Sequence, residues 1–191
     1  YSASQVTYTN LANAGFDTAG LPQKTSANNW DGGFVSAEAI AGDGYAEAVI
    51  ADATTHKMLG LDAVDSNSSY TDIQYALYFR NDGLVDIYEN GTAIRTSISR
   101  YTAGDIGRVE RKGDLIYYKL NGTIVGTSSS RSTGPLHLDV ALWNMGGKIG
   151  PCYLVGRTTE GVDLPNPGIQ ITQGDADGNI ALAAFVSGGP T

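Results

Sequence analysis

Two Asn-Gly dipeptides, Asn90-Gly91 and Asn121-Gly122, constrain the fold of this chain more than any other feature of its sequence. Each follows a run of aliphatic and aromatic residues that favours an extended backbone. A two-residue type I′ turn requires positive φ at both central positions, and Asn followed by Gly adopts these angles at the least cost. We therefore predict a β-hairpin at each dipeptide.

The rest of the chain also has the spacing of short strands. Residues 73–80 alternate between an apolar and a more polar face, the period of two that indicates a half-buried strand. Residues 57–64 are mostly apolar without alternation, which is typical of a central strand covered on both faces. Further strands are predicted within residues 5–10, 30–36, 45–50, 101–110, 136–142 and 152–155, with a tight turn at Gly42-Asp43-Gly44. This pattern predicts an all-β fold, a two-sheet antiparallel β-sandwich, with a jelly roll as the near alternative.

Charge and composition exclude two classes of partner. The chain has 191 residues and a formal net charge of −8, and its 12 Lys and Arg residues are scattered. Nucleic acids and anionic membranes both require clustered basic residues, so neither is an expected partner. No apolar run approaches the length of a membrane span, and we expect no membrane insertion. No signal peptide is recognisable at Tyr1, and a leader or an upstream domain is compatible with this start.

The last part of the chain changes character. Residues 160–168 have the composition of a linker, and residues 180–186 form an apolar run. We predict a β-sandwich domain over residues 1–155 and a C-terminal linker and arm over residues 156–191. The apolar run is either one more strand or a docking segment, and an ordered arm is favoured because an exposed run would promote aggregation. The single cysteine, Cys152, is expected to be a buried, inert thiol.

Several short motifs follow one another in a distinctive order. In chain order they are Trp30-Asp31-Gly32, residues 42–47, Leu59-Gly60-Leu61, Gly104-Asp105, Val109, residues 116–119, Asn121-Gly122, Pro135-Leu136, residues 140–142 and Gly146-Gly147. From Gly104 onward this order resembles the second half of SPRY (B30.2)-like domains, and the earlier motifs are similar to versions of this module in bacterial surface and phage proteins. The resemblance covers about residues 5–150. It implies a concanavalin A-like lectin/glucanase sandwich that recognises a partner through its loops, in an extracellular, cell-surface or virion setting.

The sequence lacks the signatures of an enzyme. Glucanases of this fold carry their carboxylates as Glu-x-Asp-x-x-Glu on one strand, and no such triplet occurs here. The nearest acidic cluster, residues 110–114, has the pattern of a strand end and a turn. There is no Gly-x-Ser-x-Gly nucleophile elbow, and neither His56 nor His137 has an evident nucleophile beside it in the sequence. We predict a non-catalytic protein without a cofactor.

One segment resembles the front of a calcium-binding loop. Asp175, Asp177 and Asn179 could supply oxygen ligands for Ca²⁺ at alternate positions. Ile180 stands where an EF-hand loop has glycine, and Val186 stands where it has a bidentate glutamate. An ordinary Asp-Gly turn is therefore the favoured interpretation, and Ca²⁺ remains the alternative.

Candidate ligand-binding residues come from loops that combine aromatic with polar side chains. Saccharide sites pair an aromatic platform with Asp or Asn side chains that hold hydroxyl groups. Three loop clusters have this composition: Asp65, Asn67 and Tyr70; Arg100 and Tyr101; Trp143 and Asn144. Trp30-Asp31 is disfavoured because Trp30 is expected in the core. The testable form of the hypothesis is a single binding site to which several of these clusters contribute.

Two functional hypotheses follow. The first is a non-catalytic recognition module of a bacterial or phage surface protein, which binds a glycan or a protein through its sandwich loops. The second is a structural subunit of a virion or filament, in which residues 160–191 reach into a neighbouring copy and make a homo-oligomer. Retention of saccharide by a monomer favours the first, and an oligomer that is lost on deletion of the arm favours the second.

Overall fold

The computed structural model of the protein describes residues 6–158 and 163–164, which form antiparallel β-strands joined by turns and loops. The strands are β1 (Tyr8–Ala12), β2 (Ala14–Phe16), β3 (Pro22–Lys24), β4 (Gly32–Val49), β5 (Lys57–Asp62), β6 (Tyr75–Phe79), β7 (Leu84–Glu89), β8 (Thr92–Arg100), β9 (Ile106–Lys112), β10 (Leu115–Leu120), β11 (Thr123–Arg131), β12 (Leu136–Leu142), β13 (Cys152–Thr158) and β14 (Asp163–Leu164). The predicted all-β sandwich is confirmed.

The two layers of the sandwich share one long strand. The N-terminal part of β4 pairs with β1 and β12, and the layer continues through β5, β6 and β7 to β8. The C-terminal part of β4 pairs with β13 and β9, and this second layer continues through β10 to β11. The strands β2 and β3 form a separate small sheet.

The passage of β4 between the layers corrects the tight turn predicted at residues 42–44. Pairing with β12 ends at Ile40 and pairing with β9 begins at Gly44, so the backbone between them has no sheet partner on that side. The fully buried guanidinium of Arg111 supplies hydrogen-bond donors for this backbone. Its Nε donates to Gly42 O at 2.8 Å, and its Nη2 donates to Ile40 O at 3.2 Å. The Gly-rich segment therefore bends and continues where the sequence pattern indicated a reversal.

Both predicted hairpins are present. In the β7–β8 turn φ is 47° at Asn90 and 73° at Gly91, and in the β10–β11 turn φ is 50° at Asn121 and 80° at Gly122. These left-handed angles are those of a type I′ turn. The hairpins form the last strand pair of each layer, β7–β8 in the first and β10–β11 in the second.

The main core lies between the layers and uses the alternate residues of each strand. The largest fully buried apolar side chains there include Tyr75, Phe79, Ile40, Leu59 and Leu61. The layers approach closely where a glycine faces a large side chain, since a Cβ on Gly107 would lie 2.4 Å from the ring of Phe79. The single cysteine, Cys152, is buried as predicted, and burial raises the pKa of its thiol.

The C-terminal end of the described chain lies on the second layer. β14 pairs with β13, which runs to Thr158 and so extends beyond residue 155. The predicted calcium ligands Asp175, Asp177 and Asn179 and the apolar run 180–186 lie outside the described residues. Among residues 6–158 and 163–164, no helix has the length and hydrophobicity to span a bilayer.

Candidate ligand-binding surface

Five aromatic side chains lie together on the outer face of the first layer, on the side away from the main core. We name this group the aromatic surface. Its members are Trp30 before β4, Tyr70 in the β5–β6 loop, Tyr78 on β6, Tyr88 on β7 and Trp143 after β12. All five side chains are half-buried, so each has one part packed on the sheet and one part open to solvent.

Trp30 is the centre of the aromatic surface. Its ring centroid lies 5.1 Å from that of Tyr70, 5.7 Å from that of Tyr78 and 5.6 Å from that of Trp143. Tyr88 closes the group, at 5.9 Å from Tyr70 and 5.4 Å from Tyr78. The rings meet at angles between 59° and 89°, the tilted and edge-to-face arrangements that the ring quadrupole favours. The group is therefore a packed unit with fixed ring orientations.

Apolar residues in the strands underneath form the base on which the rings pack. Met58 pairs with Tyr78 on β6 and with Ala141 on β12, and Ala76 pairs with Tyr88 on β7. Met58, Ala76 and Ala141 are buried in a second apolar cluster, separate from the main core. Since side chains alternate between faces along a strand, the same strands supply the main core with their other residues.

Polar groups border the aromatic surface on the side of Tyr78. The Tyr78 hydroxyl and His56 Nδ1 are 2.6 Å apart, and the backbone N–H of His56 donates to Asn144 Oδ1 at 2.7 Å. Arg80 lies beside them with two carboxylates, Asp82 at 2.6 Å and Asp86 at 3.7 Å. These contacts hold the ring of His56 and the amide of Asn144 at the margin of the aromatic rings.

Burial favours the uncharged forms of the His56 ring and the Tyr78 phenol. Desolvation, partly opposed by the charge of Asp82, lowers the pKa of His56 below its ordinary value of 6.5. Desolvation and the neighbouring Tyr88 raise the pKa of Tyr78 to about 12. His56 Nδ1 also accepts the backbone N–H of Asn81 at 3.4 Å, which leaves the ring proton on Nε2. His56 and Tyr78 therefore offer neutral hydrogen-bonding groups, beside the charged side chains of Arg80, Asp82 and Asp86.

A polar groove lies on the same layer, next to β1. It has a volume of about 330 Å³, and its lining includes Thr9, Asn10, Ser36, Asp65 and His137. A recess of about 250 Å³ adjoins it, and the two share Asn10 and Asp65. Asn10 Nδ2 donates to Asp65 Oδ2 at 2.6 Å, so these two side chains orient each other.

The β5–β6 loop, residues 63–74, separates the polar groove from the aromatic surface. Asp65 and Asn67 contribute to the groove and its recess, whereas Tyr70 packs on Trp30. The hydroxyl of Ser68 donates to the backbone oxygen of Asp31 at 3.0 Å and ties the loop to the start of β4. One loop thus carries residues of both features.

The predicted loop clusters have different positions in the structure. Tyr70 and Trp143 come together, through Trp30, and Asn144 lies at the margin of the same surface. Tyr101 was predicted to be an accessible loop residue, but it is 3% exposed and packs on Phe79 inside the main core. Its hydroxyl donates to Arg80 O at 2.5 Å. Arg100 is exposed at the end of β8.

Sequence reasoning missed four members of the site: Trp30, Tyr78, Tyr88 and His56. Trp30 was expected in the main core, but it is half-buried at the centre of the aromatic surface. Tyr78 and Tyr88 occupy the strand positions that alternate away from the core, and large aromatic residues at such positions were the available signal.

The structure gives the contacts of the acidic cluster and of His137, which the sequence offered as candidates for catalysis. Glu110 belongs to the acidic cluster at residues 110–114. Its carboxylate forms ion pairs with two basic side chains, Lys119 at 2.5 Å and Arg108 at 3.7 Å. His137 Nδ1 is 2.8 Å from the backbone oxygen of Ser36. Within residues 6–158 and 163–164, no group of three or more His, Cys, Asp or Glu side chains could hold a metal ion.

Comparison with solved structures identifies the fold. The SPRY domain of human HERC1 is similar with a TM-score of 0.57 and 13% identity, over 78% of this chain and 96% of that domain. The carbohydrate-binding module CBM66 from Bacillus subtilis has a TM-score of 0.48 and 16% identity, over 78% of this chain and 92% of that module. The β-glucanase of Bacillus licheniformis has a TM-score of 0.48 and 10% identity, over 79% of this chain and 92% of the enzyme.

The chain therefore has the concanavalin A-like sandwich fold. Its architecture is similar to that of SPRY domains, as the order of sequence motifs predicted. No protein-family model matches the sequence, and no curated protein matches it. At these identities the likeness concerns the fold, and the same fold hosts many functions.

Proposed function

We propose that this protein is a non-catalytic carbohydrate-binding module that holds a glycan on the aromatic surface. The observation that supports this most is the group of five half-buried rings around Trp30. Half-buried rings in fixed orientations can stack on the apolar C–H face of a sugar, and the ordering cost is low because the rings already pack on one another.

The polar margin supports a polyhydroxylated ligand over a purely apolar one. His56 and Tyr78 are uncharged near neutral pH, and Asn144 is an amide. Such groups exchange hydrogen bonds with hydroxyl groups without the large desolvation cost of an isolated charge. Asp65 and Asn67 add a carboxylate and an amide, both of which hydrogen-bond to hydroxyl groups, in the polar groove and its recess, where further sugar units of a longer chain would lie.

A glycan array probed with the purified protein, followed by calorimetric titration of the strongest hit, tests the proposal. Trp143→Ala should weaken binding by about tenfold or more, because it removes one ring of the platform. Phe16→Ala is the matched control: Phe16 is 53% exposed and packs on Tyr8, outside the aromatic surface, so binding should not change. An array with no hit, or equal losses in both variants, would contradict the proposal.

A protein ligand is the second candidate, and Met145 favours it. This side chain follows Trp143 by two positions and is 66% exposed. Methionine is common at protein-binding surfaces because its flexible thioether adapts to a partner. Met145→Ser should weaken a protein complex and leave saccharide binding unchanged.

The proposal includes an extracellular setting on a bacterial cell surface or a phage, because the motifs before Gly104 resemble versions of the SPRY-like module in such proteins. The alternative, a structural subunit that assembles through residues 160–191, remains a prediction. Light scattering on the full chain and on a chain ending at residue 158 distinguishes them. A monomer in both cases favours the binding module, and an oligomer that is lost on truncation favours the subunit.

A further inference from the structure

Asp139 is a buried carboxyl group that no positive charge compensates. It lies on β12 between the strand positions of Val35 on β4 and Gly60 on β5, and it is 4% exposed. Its neighbours in β12 alternate toward the main core, so the side chain of Asp139 is on the outer face, where the β5–β6 loop covers the sheet. Its Oδ2 atom has no hydrogen-bond partner among the described residues.

The charged groups that face Asp139 are acidic. Asp62 on β5 and Asp65 and Asp72 in the β5–β6 loop all act on it with negative charge, and β4 presents Val35 opposite it. The titratable neighbour on β12 itself is His137, which stands opposite Asp62 across the β5–β12 pair. The environment thus favours an uncharged Asp139.

Two of these carboxylates also hold the β5–β6 loop closed. At its start, Asp62 accepts the backbone N–H groups of Val64 at 3.1 Å and Gln74 at 3.2 Å. Within the loop, the Oδ2 atom of Asp72 accepts the backbone N–H groups of Ser66 at 2.9 Å and Asn67 at 2.8 Å. The other oxygen of Asp72, Oδ1, is buried without a hydrogen-bond partner among the described residues.

An isolated buried carboxylate is costly, and further negative charges within the same site increase the cost. Burial, with the charge of Asp62 next in importance, raises the pKa of Asp139 well above its ordinary value. Burial also raises the pKa of Asp62 to about 6. Both groups therefore retain protons at pH values where an exposed aspartate has lost them.

We propose that a protonated Asp139 keeps the β5–β6 loop closed on the first layer, and that its ionisation at higher pH opens the loop and withdraws Tyr70 from the aromatic surface. The charge of an ionised Asp139 would add to those of Asp62 and Asp72 under one loop, and repulsion is relieved when the loop lifts and water enters. The effect of pH on ligand binding rests on the proposed function. The effect of pH on the conformation of the β5–β6 loop does not depend on it.

The first test needs no ligand. A group whose pKa is raised by folding stabilises the protein at low pH, and this contribution is lost as the pH rises through the folded-state value. The unfolding temperature of the wild type minus that of Asp139→Asn should therefore fall by about 5 °C or more between pH 5 and pH 8.5, since the other titrating groups are common to both proteins. Asn is neutral at every pH and keeps the shape, so this variant should be the more stable protein at pH 8.5.

One control variant and one optical readout complete this test. Asp114→Asn changes an exposed carboxylate that pairs with Arg131 on the second layer, and it should follow the wild-type pH profile. Above pH 6.5, tryptophan fluorescence should change with pH much more in the wild type than in Asp139→Asn, because Trp30 packs on Tyr70. Equal pH profiles for wild type and Asp139→Asn would overturn the proposal. Stabilisation by Ca²⁺ would also overturn the proposal. If Ca²⁺ raised the unfolding temperature of the wild type at pH 8.5 and not that of Asp139→Asn, a cation would replace the proton on Asp139.

The second test uses the best saccharide from the array. Its affinity for the wild type should fall severalfold from pH 6 to pH 8.5, and its affinity for Asp139→Asn should change much less across this range. A pH-independent wild-type affinity would overturn control of the ligand site. If no saccharide binds at any pH while the unfolding profiles still differ, the proposed function fails and the loop mechanism stands.

Discussion

The indole rings of Trp30 and Trp143 meet at 61° with their centroids 5.6 Å apart, although the residues are far apart in the sequence. Trp30 also contacts Tyr70 and Tyr78, so it supports three other rings of the aromatic surface. This central position gives Trp30 a structural role that Trp143, at the border, does not share to the same extent.

Trp30→Ala should therefore reduce both stability and binding, whereas Trp143→Ala should act mainly on binding. A fully buried Trp→Ala change costs about 3–5 kcal/mol, and for half-buried Trp30 we expect about 2 kcal/mol. Urea unfolding monitored by circular dichroism gives the free energy of unfolding, and calorimetry gives the affinity. Equal stability losses in the two variants would contradict the central role of Trp30.

The ring of His56 should make the protein less stable in mild acid. Folding lowers the pKa of His56 below 6.5, so the unfolded chain binds more protons and stability is lost as the pH falls below about 6.5. Between pH 7.5 and pH 5, His56→Gln should lose less stability than the wild type in urea unfolding. An NMR titration should give a pKa for His56 below 6.5, and a value above 6.5 would refute this prediction.

Arg111 should be one of the most sensitive positions in the chain. Its fully buried guanidinium donates to Gly42 O and Ile40 O at the bend of β4, and also to Gly134 O. Arg111→Met leaves these carbonyl groups without their donor, and we expect a loss of about 3 kcal/mol or more in the free energy of unfolding.

The matched control is Arg131→Met. Arg131 pairs with Asp114, and the two side chains are 60% and 48% exposed. Exposed ion pairs contribute little, so this variant should stay within about 1 kcal/mol of the wild type in the same unfolding experiment. A similar loss for both arginines would show that Arg111 does not hold the bend of β4.

A Gly→Ala substitution in the β10–β11 turn should reduce stability, whereas the same substitution at an unstrained glycine should not. Gly122 has a φ of 80°, and Gly122→Ala should cost about 1 kcal/mol or more because L-residues rarely adopt this angle. A Cβ added at Gly134 would meet no described atom within 4 Å, and φ there is not left-handed, so Gly134→Ala should be neutral or slightly stabilising. Thermal unfolding of both variants measures the difference, and no difference would contradict the turn assignment.

The all-β class and both hairpins could be predicted from the amino-acid sequence alone. Their signals are local: Asn followed by Gly supplies the left-handed angles at positions 90–91 and 121–122, and alternation marks the core face of the half-buried strands. The run over 57–64 was also sufficient to predict a central strand, since every residue of β5 is buried. Such features depend on neighbours in the chain, so they can be read without a fold.

The way in which these strands combine depends on contacts between distant parts of the chain. Residues 42–44 have the composition of a turn, but the buried Arg111 binds the carbonyl groups of Ile40 and Gly42 and lets β4 continue into the second layer. The aromatic surface likewise joins residues from five separate segments, and no local pattern states that Trp30 will meet Trp143. Local propensity fixes the backbone of each segment, whereas packing between distant segments fixes which side chains become a site.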